Sequence, residues 1–280
     1  MIIKYLTMLR PSQWLKNVML FFPPFLTGQI LLPGHFVLGL LPFAAFCMVS
    51  SSGYVFNDIM DRKRDINHPV KRFRPIAAGV VSITHAFLLL SLLLLAGLLL
   101  AVFISHQFFF LLLVYTAITI LYSLKLKTIP VVDVFCIAAG FLIRLQSGGV
   151  LFNIQISSWL FLTVFLLAVF LSTGKRLSEF RTLGIMAGEH RTTLTCYPTG
   201  FLSGTLYMTA GAVLVTYSMY ALNKQKLVYT VPLCLFGLLR YIFRVSSGQS
   251  GDPTESLIKD PVLLVVSLVW LLMVVWSIYK

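Results

Sequence analysis

The sequence predicts an all-α, polytopic membrane protein with about nine transmembrane helices, and three observations carry that prediction. Of its 280 residues, 58% are hydrophobic and only 11% are charged, a balance outside the range of soluble domains. The apolar residues gather into runs of about 18 to 22, the length a helix needs to cross a hydrocarbon core. Lipid offers no hydrogen-bond partner to an open strand, so such runs cross as helices.

In chain order the runs occupy 13–32, 36–56, 82–104, 107–124, 131–149, 157–176, 202–222, 227–245 and 260–279, within one domain spanning 1–280. The first is interrupted by Pro23 and Pro24 in "FFPPFLTG". It is kept as a kinked span, because neighbouring helices can satisfy a broken backbone. It is not read as a cleavable signal peptide, since no small-residue cleavage site follows it.

Nine spans place Lys4, Arg10, Lys16, the cluster from Arg62 to Arg74, Lys125, Lys127, Lys175, Arg176, Arg181, Arg191, Arg240, Arg244 and Lys259 on one side. The positive-inside rule makes that side cytoplasmic, with Lys224, Lys226 and Lys280 opposite and Arg144 inside a span. All nine acidic residues fall on the cytoplasmic side as well, a distribution that orientation does not demand. The chemistry is therefore expected at the cytoplasmic face of the plasma membrane, with no nucleic-acid partner. Cys47, Cys136, Cys196 and Cys234 form no CxxC pattern and the five histidines are scattered, so the cysteines read as structural and no zinc site is expected.

Residues 57–75, "NDIMDRKRDINHPVKRFRP", hold three aspartates and six basic residues directly after an apolar run. The spacings of three and four between Asp58, Asp61 and Asp65 put their carboxylates on one face if the second span continues as a helix, and Asn57 adds an amide oxygen. Anions this close need a compensating cation. Hard oxygen ligands of this kind suit Mg2+, which completes its shell with water and substrate phosphate. The plainer alternative is a solvated helix end, with the aspartates paired to Arg62, Lys63 and Arg64.

Lys71, Arg72 and Arg74 follow within a short loop, and guanidinium forks suit phosphate oxygens. Two further loops assigned to the same face repeat the mixture. "YSLKLKTIPVVD" offers Tyr122, Lys125, Lys127 and Asp133, and "KRLSEFRTLGIMAGEHRTTLTCY" offers Lys175, Arg176, Glu179, Arg181, Glu189, His190 and Arg191. Orientation alone explains any single one of these lysines. Arg144 differs: eleven residues beyond Asp133, it lies about 16 Å into the membrane by helix rise, where a cation marks a buried site or a structural ion pair.

With these residues in place, the chain resembles the UbiA superfamily of intramembrane prenyltransferases. "NDIMDRKRD" matches the family's first acidic motif, NDxxDxxxD, at every fixed position. The resemblance implies a helical bundle around a central cavity, capped by cytoplasmic loops and dependent on Mg2+. Where the quinone and haem branch carries a second acidic motif, DxxxD, this chain has the basic stretch "KRLSEFRTLG". The segments "RPSQWLKNVMLFFP", "DINHPVKRFRPIAAG", "YSLKLKTIPVVD", "GFLIRLQSGG", "GKRLSEF" and "GEHRTTL" are similar instead to the decaprenyl-phosphate phosphoribosyltransferase branch.

That branch implies transfer of 5-phosphoribosyl from 5-phosphoribosyl 1-diphosphate to a polyprenyl phosphate lipid, with release of diphosphate. By resemblance Asn57, Asp58, Asp61 and Asp65 hold the magnesium diphosphate, the three aspartates being the catalytic set. Lys16, Lys71, Arg72, Arg74, Tyr122, Lys125, Arg144, Lys175, Arg176 and Arg191 are the expected phosphate-binding residues, with Arg10 a further contributor. A homo-oligomer is compatible with this reading. The competing enzyme reading is an aromatic prenyltransferase acting on 4-hydroxybenzoate or another quinone precursor, which shares the first motif but uses the missing second one. A third reading, a transporter of anionic lipid or metabolite, would call for charges along a path to both faces.

Overall fold

The computed structural model describes residues 2–67, 70–183, 192–224 and 226–280. Among these residues all regular structure is helical. A short helix, α1 (Ile2–Leu9), precedes eight long ones: α2 (His35–Ile66), α3 (Ile83–Ile104), α4 (His106–Leu124), α5 (Val132–Leu151), α6 (Ser158–Leu183), α7 (Phe201–Leu222), α8 (Val231–Ser246) and α9 (Pro261–Tyr279). Seven of these eight are by themselves long and apolar enough to cross a membrane, and α8 reaches that length together with the 3₁₀ turn before it, as Leu227–Ser246.

The ninth expected span, 13–32, is not one helix. It breaks into a 3₁₀ segment, Pro11–Phe21, a five-residue helical turn, Phe22–Leu26, and a second 3₁₀ turn, Gln29–Leu31. Pro23 and Pro24 lack the amide hydrogens a continuing ladder needs, so they open a new turn rather than extend the old one. The Thr27 hydroxyl closes that turn by donating to the Pro23 carbonyl at 2.8 Å.

Contacts divide the chain into two compact units, one made of 1–127 with 143–155 and the other of 128–142 with 156–280. In the first unit, Phe46, Val49, Phe108, Leu112 and Tyr115 form the buried centre with Leu20 and Ile143. Helices α2 and α3 cross closely because Gly97 has no side chain: a Cβ there would stand 2.7 Å from Val49 Cγ2 and 3.0 Å from the Ala45 carbonyl oxygen. The opposite side of α3 exposes Leu88, Leu92, Leu95, Leu99 and Phe103, spaced at three and four residues as a lipid-facing stripe requires.

In the second unit, Phe170, Leu206, Val213, Tyr241 and Val245 pack α6, α7 and α8 together. Asp260 caps α9 by accepting from the amides of Val262 and Leu263, and it holds Arg240 and Arg244 of α8. One acidic residue thus ties the start of α9 to the end of α8.

Candidate active site

Helix α2 builds the acidic face. Its 32 residues extend about 48 Å at 1.5 Å per residue, about 18 Å more than a hydrocarbon core of about 30 Å. The surplus is polar: the helix runs unbroken through Ile66, so Asn57, Asp58, Asp61 and Asp65 do share one face. Asp58 and Asp65 are buried and Asp61 is half-buried.

Three cations from distant parts of the same unit converge on that face. Arg10 Nη2 lies 2.5 Å from Asp58 Oδ1. Arg74 Nη1 bridges Asp58 Oδ1 at 3.0 Å and Asp65 Oδ2 at 2.7 Å. Lys127 Nζ donates to Asp61 Oδ1 at 2.6 Å and to Asn57 Oδ1 at 3.1 Å. Arg10 reaches its place with a left-handed backbone, φ 51° and ψ 62°, a conformation a non-glycine residue holds only when its surroundings fix it. Its guanidinium also stacks over Tyr54 at 5.3 Å.

These contacts use Oδ1 of Asp58, Oδ1 of Asp61 and Oδ2 of Asp65, leaving the second oxygen of each carboxylate out of the pairs. Among the described residues no three acidic, His or Cys side chains converge into a finished metal cage. By chemistry the donor types suit a hard divalent cation: three carboxylates and an amide oxygen at helical spacing, each carboxylate with one oxygen outside its ion pairs.

Deeper in the same unit, Arg144 lies about 18 Å along α5 from its first residue and is buried. Its Nε donates to Asn17 Oδ1 at 2.8 Å and its Nη2 to the Tyr115 hydroxyl at 3.0 Å. The rings of Phe46 and Tyr115 face the guanidinium at 5.0 and 4.8 Å, which adds cation–π attraction where water is scarce. Asn17 in turn donates to Ser50 and Cys47 of α2. Trp14 Nε1 donates to Ser51 at 3.0 Å. The 3₁₀ segment therefore serves two purposes, bracing α2 and presenting Asn17 to Arg144.

Among the other expected phosphate ligands of this unit, Lys16, Lys71 and Tyr122 are half-buried and Lys125 and Arg72 are exposed, with Arg72 stacked on its neighbour Phe73 at 4.8 Å. Lys127, two residues beyond Lys125, is the loop lysine that reaches the carboxylates. Asn17, Tyr115 and the pairing of Arg10 were not among the expected site residues. The one local signal was a polar asparagine inside an apolar stretch, "WLKNVML".

In the second unit Arg176 is buried, with Nε 2.8 Å from Asp133 Oδ2 and Nη1 3.0 Å from Glu179 Oε2. The Tyr197 hydroxyl donates to Asp133 Oδ1 at 3.1 Å and accepts the Val131 amide at 2.7 Å. Burial raises the Tyr197 phenol above its ordinary range, which keeps it a donor to the carboxylate. Val131 is β-branched and sits at φ 68°, a strained turn that the Tyr197 bond helps hold. Lys175 pairs with Asp252 at 2.8 Å. Arg191, Glu189 and His190 lie outside the described residues.

Comparison with known proteins adds the family. A decaprenyl-phosphate phosphoribosyltransferase of Mycolicibacterium smegmatis is 31% identical over 280 aligned positions, covering 94% of this chain and 88% of that protein. The protein of the same name from Corynebacterium glutamicum is 31% identical over 97% of this chain and 85% of its own length. A solved UbiA homologue from Archaeoglobus fulgidus, bound to GPP and Mg2+, superposes with a TM-score of 0.75 at 23% identity, covering 99% of this chain and 100% of that one. The family model described as the UbiA prenyltransferase family matches residues 21–260, and with the unbroken acidic helix and the shared fold this chain belongs to that family.

Proposed function

We propose that the chain is a polyprenyl-phosphate phosphoribosyltransferase. It would take 5-phosphoribosyl 1-diphosphate as donor and a decaprenyl-type polyprenyl phosphate as acceptor, releasing diphosphate and leaving polyprenylphosphoryl 5-phosphoribose in the membrane. The observation that carries this reading is the near full-length similarity to two decaprenyl-phosphate phosphoribosyltransferases. The chemistry of the first unit agrees with it, since one acidic helix face surrounded by arginine and lysine suits a donor that brings a diphosphate.

In this reading Asn57, Asp58, Asp61 and Asp65 hold Mg2+, which when bound supplies charge neutralisation for the departing diphosphate. The bond from ribose C1 to the diphosphate oxygen breaks as a lipid phosphate oxygen attacks C1 from the opposite face. No protein nucleophile is needed, and the chain contributes position and preorganised charge. Lys16, Lys71, Arg72, Arg74, Tyr122, Lys125, Arg144, Lys175, Arg176 and Arg191 form the pool from which phosphate ligands are drawn. We take 1–280 as one catalytic domain with its site on the cytoplasmic side of the plasma membrane, where the donor is soluble.

The test is incubation of the purified protein with Mg2+, polyprenyl phosphate and ribose-labelled phosphoribosyl diphosphate. Label entering the organic phase only when metal and lipid are both present is the expected result. Label remaining in the aqueous phase, with prenylation of 4-hydroxybenzoate from geranyl diphosphate instead, would overturn the reading.

A further inference from the structure

Helix α8 carries an arginine in its lipid-facing stripe. Phe236, Leu239 and Phe243 are exposed, and Arg240 shares their spacing of three and four residues, so it stands on the face that a spanning helix turns to lipid. Its guanidinium lies over the Phe243 ring at 5.5 Å, and its side chain is 33% exposed. Only about 9 Å of helix separates it from the last residue of α8, Ser246. A snorkelling side chain at that depth reaches the headgroup layer. Arg244, one turn on, is buried and uses the same carboxylate: Asp260 Oδ2 lies 2.8 Å from Arg240 Nε and 3.2 Å from Arg244 Nη1. The other acidic residues of the α8–α9 connection are engaged elsewhere, Asp252 with Lys175 and Glu255 with Lys259. Neither α8 nor α9 contains an acidic residue of its own. Two guanidinium ions thus share one carboxylate, which leaves a net charge of +1. Arg244 Nε is buried with no hydrogen-bond partner among the described residues. Arg181 adds positive charge at the same helix end by donating to the Val245 carbonyl at 3.0 Å. An excess of cations beside hydrocarbon is unfavourable until an anion completes it.

We infer that the end of α8 and the start of α9 bind the phosphodiester headgroup of an anionic bilayer lipid, with Arg240 as the phosphate ligand. The charges match, since a phosphodiester brings the single negative charge that Asp260 leaves uncancelled. The donors match as well: Arg240 meets Asp260 through Nε and Nη2, and its Nη1 stands outside those contacts. The flanks are suited to acyl chains, because α8 exposes Phe236, Leu239 and Phe243 below the headgroup level and α9 exposes Val265 and Leu268. A water-soluble anion would have no use for these apolar flanks. The site uses none of the residues proposed to act on the donor, so it stands whether or not the proposed reaction does.

The test is the melting temperature of the full-length protein in neutral detergent, titrated with phosphatidylglycerol or with phosphatidylcholine of the same acyl chains. Phosphatidylglycerol should raise it by several degrees and phosphatidylcholine should not, because only a ligand of the folded state shifts melting. Glycerol phosphate, the soluble headgroup alone, should give no shift. Arg240→Gln and Asp260→Asn break the same ion pair, so both should start less stable than the parent. Only Arg240→Gln should lose the phosphatidylglycerol increment; Asp260→Asn, which removes the competing carboxylate, should keep or enlarge it. Lys280→Gln, at the exposed far end of α9, should also keep it, which separates this site from general attraction to a chain of net charge +13. An equal response to the two lipids overturns the site, as does an increment lost equally in the lysine variant or in Asp260→Asn. A shift reproduced by glycerol phosphate, or given by polyprenyl phosphate and not by phosphatidylglycerol, overturns the bilayer lipid as its occupant. Should Arg240→Gln fail to fold, native mass spectrometry of the parent decides: a phosphatidylglycerol retained on each chain in preference to phosphatidylcholine is expected, and retention without preference overturns the inference.

Discussion

Arg176 Nε lies 2.8 Å from Asp133 Oδ2, a pair formed between side chains that are 3% and 0% exposed. Burying both charges is costly, and leaving one behind is costlier, by about 3–5 kcal/mol. Asp133→Ala should therefore lower the unfolding midpoint severely, whereas Asp133→Ala combined with Arg176→Met should recover much of the loss. Equal instability of the single and double variants would show that the Arg176 charge left behind is not what destabilises Asp133→Ala. Arg176→Met measured for apparent affinity toward phosphoribosyl diphosphate then separates bracing from phosphate binding.

Asp260 makes stability acid-dependent. Burial raises its carboxyl, but donors from Arg240, the Leu263 amide and Arg244 outweigh that effect and hold it at about 2. A carboxyl depressed in the folded state stabilises fully above its unfolded value, 3.8, and the contribution disappears as pH falls through about 2. The melting temperature is expected to be flat above pH 5 and to decline between pH 4 and 2. Asp260→Asn should start lower and lose part of that slope; an identical slope in the variant would remove Asp260 from the account.

The sequence discloses the features that depend on neighbours along the chain. Eight spans were legible from apolar runs, and the acidic face from spacings of three and four, because α2 continues through Ile66 as that spacing requires. The segment 13–32, expected as a span kinked at Pro23 and Pro24, divides there into 3₁₀ and α-helical turns, because the two prolines lack the amide hydrogens of a continuous ladder. Partners were less legible than faces. Lys127 meets Asp61 across 66 positions and Arg144 meets Asn17 across 127, and no periodicity encodes such separations.

Asn17 is the residue whose role is most exposed to test by a small change. Its amide oxygen accepts from Arg144 Nε at 2.8 Å, and its amide nitrogen donates into α2. Asn17→Leu keeps the branched shape and removes both the acceptor of Arg144 Nε and the donor to Ser50 Oγ and Cys47 Sγ, at about 1–3 kcal/mol for each buried polar group that loses its partner. A drop of several degrees in melting temperature is expected, larger than that of Asn17→Asp, whose carboxylate still accepts from Arg144. A Leu variant as stable as the parent would show that the Arg144 site does not depend on Asn17.

Asp61 offers a cleaner test of the metal ligands than Asp58. Asp58 holds both Arg10 and Arg74, so Asp58→Asn weakens packing as well as chemistry and its lost activity has two explanations. Asp61 is 20% exposed and its side-chain partner is Lys127, a lysine whose flexible stem can turn to water. Asp61→Asn preserves shape and removes one anionic ligand, and a metal supplies several kcal/mol of transition-state stabilisation. Turnover of phosphoribosyl diphosphate should fall by about 100-fold or more, with the melting temperature of the ligand-free protein changed little. The remaining activity should need more Mg2+ for half-saturation, because a ligand rather than a substrate contact has been lost. Turnover within twofold of the parent at equal Mg2+ would exclude Asp61 from the metal site.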